Sequence, residues 1–416
     1  MRVFYDLGIG FYALILRLIA PFHSKAKRWV DGRKGLLKYI EQTIEFKQKP
    51  IWFHFASLGE FEQGRSIMEA IKSQYPNEKI VVTFFSPSGY EIRKNTPLAD
   101  HVFYLPLDTA KNARMFLALI NPKFAVFTKY EYWYHYFKAL RAQNIPLFMV
   151  SAIFREDQVF FKWYGGFFRK ILKQVSFFFA QNIDSVHWLK SIHIKQAGLA
   201  GDTRFDRVVS LPKQRQVIAA VETFIQSADQ VIVAGSTWPE DEQLLAAWLQ
   251  QANATKILLA PHEIGQQHLD QLAQLFPTGL FFSQFASYSS DAIAVSPVLI
   301  IDNIGMLSSL YGYGDLCYIG GGFGAGIHNT LEAATYGKPV IFGPKYYKFQ
   351  EAKDLLEIGA GFSIDGKDQL FATLNALSVP EKQSLAGEAA RKYVVEKAGA
   401  TPIIMKYLVS QKFLQK

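Results

Sequence analysis

The chain has 416 residues, half of them apolar, with 45 lysines and arginines against 36 aspartates and glutamates, a formal net charge of +9. This length exceeds one ordinary core and favours two domains. The positive charge indicates an acidic partner, namely nucleic acid, an anionic membrane or a phosphorylated substrate. The single cysteine, Cys317, excludes an internal disulfide and suits a reducing cytoplasmic compartment. The sequence has no zinc-type Cys/His cluster and no Asp-x-Asp pair, so we predict no dedicated metal site.

The N-terminal segment, residues 1–49, combines an apolar stretch with a basic cluster. Residues 3–22 are mostly apolar, interrupted by Asp6 and Arg17. The basic residues that follow are Lys25, Lys27, Arg28, Arg33, Lys34 and Lys38. This order matches an anchor on an anionic membrane surface and argues against a cleaved signal peptide, whose basic residues precede the apolar stretch. A core helix with a solvated basic end is the alternative. We predict a membrane-associated helix that either lies in the surface or crosses it.

Short apolar runs alternate with helical patterns over residues 50–212. The runs interpreted as buried strands are Ile51–Phe55, Ile80–Phe85, Phe124–Phe127 and Pro146–Val150. Helical patterns include Phe61–Tyr75 and Glu131–Gln143. This alternation predicts a parallel sheet covered on both faces, which binds ligands at the carboxyl ends of its strands.

The same alternation returns over residues 213–416. The apolar rhythm lapses around residues 201–214, which we interpret as an interdomain connection. The later strand-like runs are Val231–Ala234, Ile257–Ala260, Val298–Ile301, Leu316–Ile319 and Pro339–Phe342. A helical pattern follows Pro380, and its last helix is a candidate to fold back across the first domain. The sequence therefore predicts an α/β protein with two Rossmann-like domains facing a cleft.

A glycine-rich stretch, residues 320–326, follows the run Leu316–Ile319 and precedes a short helical pattern. Asn329 and Glu332 have capping-box spacing, which predicts a helix that begins at Asn329. A glycine-rich turn before a helix N-terminus lets backbone approach an anion, so we predict a phosphate site that includes Gly321 and Gly322. A tight turn without a ligand is the alternative. Glu332 could bind ribose hydroxyls or act only as the capping partner.

Several motifs, in this order along the chain, resemble those of the Kdo transferases, which move 3-deoxy-D-manno-octulosonic acid (Kdo) from CMP-Kdo to the lipid A precursor. The motifs are Ser57–Glu60, Ser86–Gly89, Glu131–Trp133, Gly201–Asp206, Ala260–His262, Gly320–Gly322 and His328–Glu332. The resemblance covers nearly the whole chain. It implies a GT-B fold, an inverting reaction without a bound metal or other cofactor, and work at the cytoplasmic face of the inner membrane.

The resemblance also implies roles for individual residues. The general base of the family falls on Glu60, and its two transition-state stabilising positions fall on Glu131 and Arg204. The family's CMP contacts fall on Pro261, His262, Ile304, Gly305, Met306, Asn329, Thr330, Leu331 and Glu332. The chain departs from the family pattern where Lys129 replaces a glutamate, Tyr134 a proline, His262 an arginine and Met306 a glutamate.

Each of these residues also has a structural interpretation. Glu60 and Glu131 could serve only the helices that follow them, since a first-turn carboxylate is favourable to the helix dipole. Arg204 could be a surface residue paired with Asp202 or Asp206, and His262 a satisfied loop histidine.

Two other functions remain open from the sequence. One is another GT-B enzyme, either a UDP-sugar glycosyltransferase or an epimerase. The other is a non-catalytic protein that binds nucleic acid or membrane. We predict no nucleic-acid partner, because the basic residues follow an apolar segment and are not interleaved with aromatic residues.

Overall fold

The computed structural model describes residues 1–45, 48–252 and 254–415. The chain divides into two compact units, Met1–Arg207 with Ala398–Lys416 (unit 1) and Val208–Lys397 (unit 2). The sequence placed the first connection at residues 212 and 213. In the structure the boundary between the two units lies between Arg207 and Val208, inside the helix Thr203–Val209.

Each unit contains a seven-stranded, wholly parallel sheet. In unit 1 the strands are β1 Ile51–Phe55, β2 Ile80–Phe84, β3 His101–Tyr104, β4 Phe124–Thr128, β5 Leu147–Ala152, β6 Phe177–Ala180 and β7 Ala197–Leu199. In unit 2 they are β8 Gln230–Thr237, β9 Thr255–Pro261, β10 Leu280–Phe281, β11 Val298–Ile300, β12 Leu316–Ile319, β13 Val340–Phe342 and β14 Gly361–Ser363. The sheet orders are β3-β2-β1-β4-β5-β6-β7 and β10-β11-β9-β8-β12-β13-β14.

Helices connect successive strands, as parallel pairing requires. In chain order they are α1 Arg2–Ile19, α2 Ser24–Asp31, α3 Leu36–Thr43, α4 Leu58–Gln74, α5 Pro87–Arg93, α6 Ala110–Ile120, α7 Tyr134–Ala142, α8 Gly166–Leu172, α9 Ile183–Ser191, α10 Thr203–Val209, α11 Ala219–Ile225, α12 Pro239–Leu249, α13 Gln266–Leu275, α14 Ser290–Val295, α15 Leu307–Leu310, α16 Leu331–Ala334, α17 Gln350–Glu357, α18 Lys367–Leu377, α19 Pro380–Lys397 and α20 Ala400–Ser410. Short 3₁₀ helices lie at Val159–Phe161, Leu211–Gln214, Phe282–Ser287 and Tyr311–Tyr313.

The sheet of unit 1 is buried on both faces. Trp52 and Phe127 belong to one apolar cluster, whereas their strand neighbours Phe53 and Val126 belong to the cluster on the other face. Successive strand residues point to opposite faces, so continuous apolar runs are what a doubly covered sheet requires. The second cluster is completed by α20, which contributes Ile404 among others.

Asp206 joins the C-terminal segment to unit 1. Its carboxylate accepts the backbone N–H groups of Gly399 (2.6 Å) and Thr401 (2.8 Å) at the start of α20. It also accepts the Thr401 hydroxyl at 3.0 Å. These bonds satisfy N–H groups that a helix N-terminus leaves without intrahelical partners. Residues 398–415 are therefore part of unit 1, and unit 2 is inserted between Arg207 and Ala398.

The N-terminal helix α1 carries an exposed apolar surface. The exposed large apolar residues of this segment are Met1, Val3, Phe4, Leu7, Phe11, Tyr12, Leu14, Ile15, Leu18, Ile19 and Phe22. Near its start, the Tyr5 hydroxyl donates to Asp108 at 2.5 Å, and Asp6 lies 2.5 Å from His135 Nε2. Two polar contacts thus hold α1 to unit 1 while its apolar side chains face outward. Within the described residues, no helix has the length and apolar character needed to cross a membrane.

Arg33 differs from the other members of the predicted basic cluster. Its guanidinium donates to the carbonyls of Leu105 (2.9 Å) and Phe85 (2.8 Å) and lies over the Trp29 ring at 4.0 Å. These partners make Arg33 part of the packing between the N-terminal helices and the sheet, because it fixes two loops at once. Its assignment to the membrane-facing cluster is therefore wrong, while Lys25, Lys27, Arg28, Lys34 and Lys38 are exposed.

Candidate active site

The candidate catalytic groups of unit 1 follow two adjacent central strands. β1 and β4 pair directly, but the chain proceeds from β1 to β2 on one side and from β4 to β5 on the other. A crevice at the carboxyl ends of the strands is expected at such a switch point. Glu60 follows β1 and Glu131 follows β4, so the topology places both carboxylates at this point.

Glu60 lies in the first turn of α4, which begins at Leu58, three residues before the predicted start. Its Oε2 accepts the backbone N–H of Ala56 at 2.5 Å and the Thr128 hydroxyl at 3.3 Å. Burial, followed by the charge of Glu131, raises the pKa of Glu60 to about 8. The position of Glu60 agrees with its interpretation as a first-turn residue of α4. Its pKa also suits proton exchange near neutral pH.

Glu131 does not begin a helix, contrary to the expected helix over Glu131–Gln143. It lies in the loop between β4 and α7, which starts at Tyr134. The backbone N–H groups of His135 (3.1 Å) and Tyr136 (3.0 Å) are instead capped by the Asp108 carboxylate. Lys129, at φ 45°, turns the chain out of β4 and leaves the following residues irregular. Because a residue distant in sequence performs the capping, helix capping does not explain Glu131.

The carboxylate of Glu131 is directed by two rings, one buried (His54) and one partly buried (Trp133). Trp133 Nε1 donates to Glu131 Oε2 at 2.8 Å, and His54 Nε2 lies 3.4 Å from the same oxygen. The Glu131 side chain is 13% exposed, so it is mostly enclosed but still reaches the surface. A carboxylate held in this way can stabilise developing positive charge on a bound molecule.

Arg204 pairs with Asp202, one of its two predicted alternatives. Its Nε and Nη2 donate to Asp202 Oδ2 at 2.9 and 2.8 Å, and its backbone N–H donates to Oδ1 at 3.0 Å. Burial disfavours ionised Asp202, but the guanidinium outweighs that effect and holds the pKa of this carboxyl below its usual value. Asp206 is occupied by α20 and is not the partner in these bonds. The guanidinium is thus held in a fixed position near the end of unit 1.

In unit 2 the glycine-rich loop after β12 is held by a buried carboxylate that the sequence analysis missed. Asp241 Oδ2 accepts the backbone N–H groups of Gly321 and Trp238, both at 2.9 Å, and its Oδ1 accepts the Tyr318 hydroxyl at 2.7 Å. Asp241 is 1% exposed. Its position three residues after Trp238, in the first turn of α12, is the sequence signal that would have found it.

Close backbone contacts explain the glycines of this loop. Gly321 has φ +88°, a backbone conformation that residues with a side chain rarely adopt. A Cβ at Gly322 would lie 2.5 Å from the Gly343 backbone. The loops after β12 and β13 therefore approach each other at distances that only glycine permits.

The helix after this loop differs from the prediction. α16 begins at Leu331 and spans four residues. The residue that precedes it is Thr330, which already has helical dihedrals (φ −83°, ψ −22°), and Asn329 lies one position further from the helix. Asn329 accepts the Leu331 N–H at 3.1 Å and donates to Glu332 Oε1 at 3.0 Å, so the side chains of Asn329 and Glu332 bond directly to each other. One turn contributes little macrodipole. The predicted helix contribution to phosphate binding is correspondingly small, and backbone groups of the glycine loop remain the candidates.

Three aromatic rings stack beside the glycine loop. Trp238 lies over His262 with ring centroids 4.9 Å apart, and His262 over His328 at 4.3 Å. Trp238 Nε1 also donates to His328 Nε2 at 3.2 Å. Burial and the neighbouring His262 lower the pKa of His328 to about 4, so this imidazole is neutral at pH 7. His262 itself is exposed after Pro261, the last residue of β9.

The remaining predicted donor contacts differ in accessibility. Ile304 is 87% exposed in the loop after β11, beside Gly305 with φ +103° and the partly buried Met306. Thr330 and Leu331 are fully buried, so neither residue presents surface to a ligand in this structure. The structure thus brings His262 and the glycine loop together and places residues 304–306 on another loop of unit 2. In the described part of the chain, no group of three His, Cys, Asp or Glu side chains could hold a metal ion.

Comparison with known proteins finds similarity to one family. The model of the 3-deoxy-D-manno-octulosonic-acid transferase (Kdo transferase) family matches residues 30–207. A Kdo transferase from Bordetella pertussis is 27% identical over 426 residues, covering 95% of this chain and 97% of the relative. One from Aquifex aeolicus (strain VF5) is 26% identical over 363 residues, covering 85% and 93%. The chain is thus similar to Kdo transferases over most of its length. The enzyme class that the motif order predicted, a glycosyltransferase, is confirmed.

Solved structures show the fold of this chain. UDP-GlcNAc 2-epimerase from Neisseria meningitidis superimposes with a TM-score of 0.62 at 15% identity, covering 87% of this chain and 100% of the epimerase. MurG from Acinetobacter baumannii gives a TM-score of 0.54 at 13% identity, with 87% and 99% covered. At such identities the likeness concerns the fold alone. The predicted GT-B class, with two parallel-sheet α/β domains, is confirmed.

Proposed function

We propose that this chain transfers Kdo from CMP-Kdo to the lipid A precursor, with inversion at the anomeric carbon and without a bound metal. The observation that carries the proposal is the Glu60 carboxyl at the carboxyl end of β1, whose pKa burial and Glu131 raise to about 8. A general base works best when its pKa lies near the working pH. Similarity to Kdo transferases supports the donor and the type of acceptor.

In the proposed reaction Glu60 accepts the proton of an acceptor hydroxyl. The hydroxyl oxygen forms a bond to the anomeric carbon of Kdo while the bond from that carbon to the phosphate oxygen of CMP breaks. The bonding electrons leave with CMP, and the proton remains on Glu60. A single displacement of this kind inverts the anomeric configuration. The bonds from Ala56 and Thr128 to one Glu60 oxygen support this role, because they hold the carboxyl in a fixed orientation.

Glu131 and Arg204 stabilise charge in this scheme. Positive charge develops on the sugar ring as CMP departs, and a fixed carboxylate such as Glu131 lowers the energy of that state. Arg204 supplies permanent positive charge for the sugar carboxylate or the departing phosphate. Asp202 supports this assignment, because it holds the guanidinium through two side-chain bonds at 2.8 and 2.9 Å.

Donor recognition is assigned to unit 2. CMP-Kdo carries one phosphodiester charge, which backbone N–H groups and a single arginine can stabilise without a divalent ion. The candidates are the glycine loop at Gly321 and Gly322, with His262 stacked on His328. Neutral His328 can donate one hydrogen bond from its Nδ1, since its Nε2 accepts from Trp238.

We also propose that α1 places the enzyme at an anionic membrane surface, the cytoplasmic face of the inner membrane. Its apolar side chains, including Phe4, Phe11 and Leu18, are 72%, 63% and 65% exposed. The exposed lysines and arginine of residues 25–38 follow directly. Apolar insertion combined with nearby basic residues is the usual requirement for stable surface binding.

The deciding experiment is incubation of the purified protein with CMP-Kdo and a tetra-acylated lipid A precursor, followed by mass spectrometry. A product heavier by one or more Kdo units, with CMP released, is expected. A parallel reaction with UDP-N-acetylglucosamine tests the competing GT-B activities. Turnover of the UDP-sugar without Kdo transfer would overturn the proposed function.

A further inference from the structure

A line of buried polar groups crosses the sheet of unit 1 and ends at Glu131. Trp52 Nε1 lies 2.8 Å from Thr83 Oγ1, and His54 Nδ1 lies 2.9 Å from the same hydroxyl oxygen. The other ring nitrogen of His54, Nε2, lies 3.4 Å from Glu131 Oε2. Trp52, Thr83 and His54 are fully buried. These groups connect the middle of the sheet to a candidate transition-state stabilising residue.

The contacts along this line favour one tautomer of His54. An indole nitrogen only donates, so Thr83 Oγ1 accepts from Trp52 and has one hydrogen of its own to give. The hydroxyl can give it to His54 Nδ1 at 2.9 Å, or to the Phe53 carbonyl at 3.5 Å while accepting from a protonated Nδ1. Glu131 distinguishes these two arrangements, because an unprotonated Nε2 would place its lone pair toward the carboxylate oxygen 3.4 Å away. We therefore assign the proton of the neutral ring to Nε2, the nitrogen nearest Glu131.

The His54 N–H has Glu131 as its nearest acceptor. Within the described residues, His54 Nε2 makes no hydrogen bond, since the contact at 3.4 Å falls short of bonding geometry. The surrounding rings are apolar, with Phe127 4.8 Å away between ring centroids. A buried N–H without a partner is unfavourable, and a small rotation of the Glu131 side chain would complete the bond. Trp133 already donates to the same oxygen.

The titratable groups around this pair belong to three elements. From α4, Glu60 interacts electrostatically with Glu131. From the loop itself, Lys129 favours the ionised form of Glu60, and Tyr132 is affected by the charge on Glu131. From β2, only the hydroxyl of Thr83 bonds to His54 among the described residues. The protonation of Glu60 therefore depends on the charge of the neighbouring Glu131 as well as on its own hydrogen-bond donors.

We propose that His54 is a positioning residue that donates its Nε2–H to Glu131, holding Glu131 ionised and oriented while Glu60 exchanges the proton. This inference rests on the proposed function, because it assigns the two carboxylates of that reaction their separate tasks. Two N–H donors, Trp133 and His54, converge on Glu131 Oε2. Glu60 accepts instead from Ala56 and Thr128.

Two substitutions separate this role from packing. The side-chain amide of His54→Asn reaches the position of Nδ1, keeping a partner for Thr83 but removing the donor to Glu131. The longer His54→Gln places its amide near Nε2 and keeps that donor. We expect His54→Gln to retain most of kcat, and His54→Asn to lose about 10- to 100-fold with KM for both substrates little changed, because a displaced catalytic group loses rate.

The pH profile provides the readout that packing would not change. In His54→Asn the ionised Glu131 carboxylate loses a hydrogen bond, so the state in which both Glu60 and Glu131 are ionised becomes less favourable. The ascending limb of kcat/KM should therefore move to higher pH in His54→Asn only. The tautomer is measured separately on ¹⁵N-histidine-labelled wild type, with His54→Gln used to assign the signal. We expect a protonated Nε2 and an unprotonated Nδ1.

The outcomes separate this inference from the function on which it rests. Equal losses in both variants with an unchanged pH limb would reduce His54 to a packing residue and overturn the inference. A protonated Nδ1 would overturn it as well. If wild-type enzyme transfers no Kdo, the proposed function fails, and the tautomer measurement still decides whether His54 donates toward Glu131.

Discussion

Gly321 donates its backbone N–H to the buried carboxylate of Asp241 at 2.9 Å, so an acidic side chain supports the loop assigned to an anionic donor. The same carboxylate accepts from Trp238 and Tyr318 and thereby joins the loops after β8 and β12. Burial raises the pKa of Asp241 above its usual value. The carboxylate directs the backbone of the loop and has no contact of its own to offer a nucleotide.

Replacement of Asp241 by alanine should lower stability and weaken donor binding together. Three buried donors would lose their acceptor, and we expect the free energy of unfolding to fall by about 2–4 kcal/mol. KM for CMP-Kdo should rise because Gly321 is released. Asp241→Asn keeps one carbonyl acceptor and should fall between alanine and wild type. Denaturant unfolding and steady-state kinetics measure the two effects, and an alanine variant of normal stability would contradict the assignment.

Replacement of Glu60 by glutamine should reduce kcat and leave substrate binding largely intact. Glutamine preserves size and can still accept the Ala56 N–H, but it cannot take the acceptor proton. Loss of a general base usually lowers the rate by about 10²–10⁴-fold, which is the expected fall in kcat. If KM rises while kcat stays normal, Glu60 is a binding or capping residue, and Glu131 becomes the candidate base.

The pH dependence of kcat/KM should have an ascending limb near pH 8. A base acts only when deprotonated, so the rate should rise through the pKa of about 8 for Glu60 and level off above it. Glu131→Gln removes the like charge, and in that variant the limb should move to lower pH. Burial remains as the first cause of the shift, so the limb should stay above the usual value for a glutamate. A profile that is flat from pH 6 to 9 would argue against Glu60 as the titrating group.

The exposed face of α1 should control vesicle binding. A triple substitution, Phe4→Gln with Phe11→Gln and Leu18→Gln, removes apolar area that we expect to enter the interface, and partition should fall by about tenfold or more. Residues Tyr5 and Asp6, which hold the helix to unit 1, are left in place. Leu385→Gln with Val395→Gln, at exposed positions of α19, is the matched control. Vesicle cosedimentation measures the partition of each variant, and repeating it at a second salt concentration measures the contribution of the basic residues. Equal binding by the two variants would exclude the anchor.

Kdo transfer should persist in excess EDTA. In the described ranges, no cluster of three candidate ligands is placed to hold a cation, and the proposed leaving group carries one charge that fixed hydrogen-bond donors can stabilise. Activity is measured with and without chelator, then after magnesium is restored. Loss on chelation and recovery with magnesium would require a different account of the departing phosphate.

Sequence patterns predicted the central strands of both sheets, because fully buried parallel strands are continuous apolar runs. Ile51–Phe55 and Leu316–Ile319 match the structure residue for residue. Five strands toward the edges of the sheets, β3, β6, β7, β10 and β14, were not predicted. Ala197–Leu199 and Leu280–Phe281 are too short to give a pattern, whereas Phe177–Ala180 is an apolar run that the sequence analysis missed.

Helix ends and site contacts were less predictable, because distant residues determine them. Asp108 caps α7 from another loop, so no local signal at Glu131 revealed that the helix starts at Tyr134. The stack of Trp238, His262 and His328 joins loops after three different strands. Only the order of those strands in the sheet, which the sequence did not supply, brings the three rings together.

The return of residues 398–415 to unit 1 has a consequence for protein synthesis. The ribosome makes the strands of unit 1 first, yet Ile404 and Leu408, which cover one face of that sheet, emerge after all of unit 2. Unit 2 is one continuous segment, so all of its residues are synthesised before Ile404 and Leu408. The unit begun first is therefore the last to be completed, and until then an apolar sheet face is open to chaperones or to misassembly.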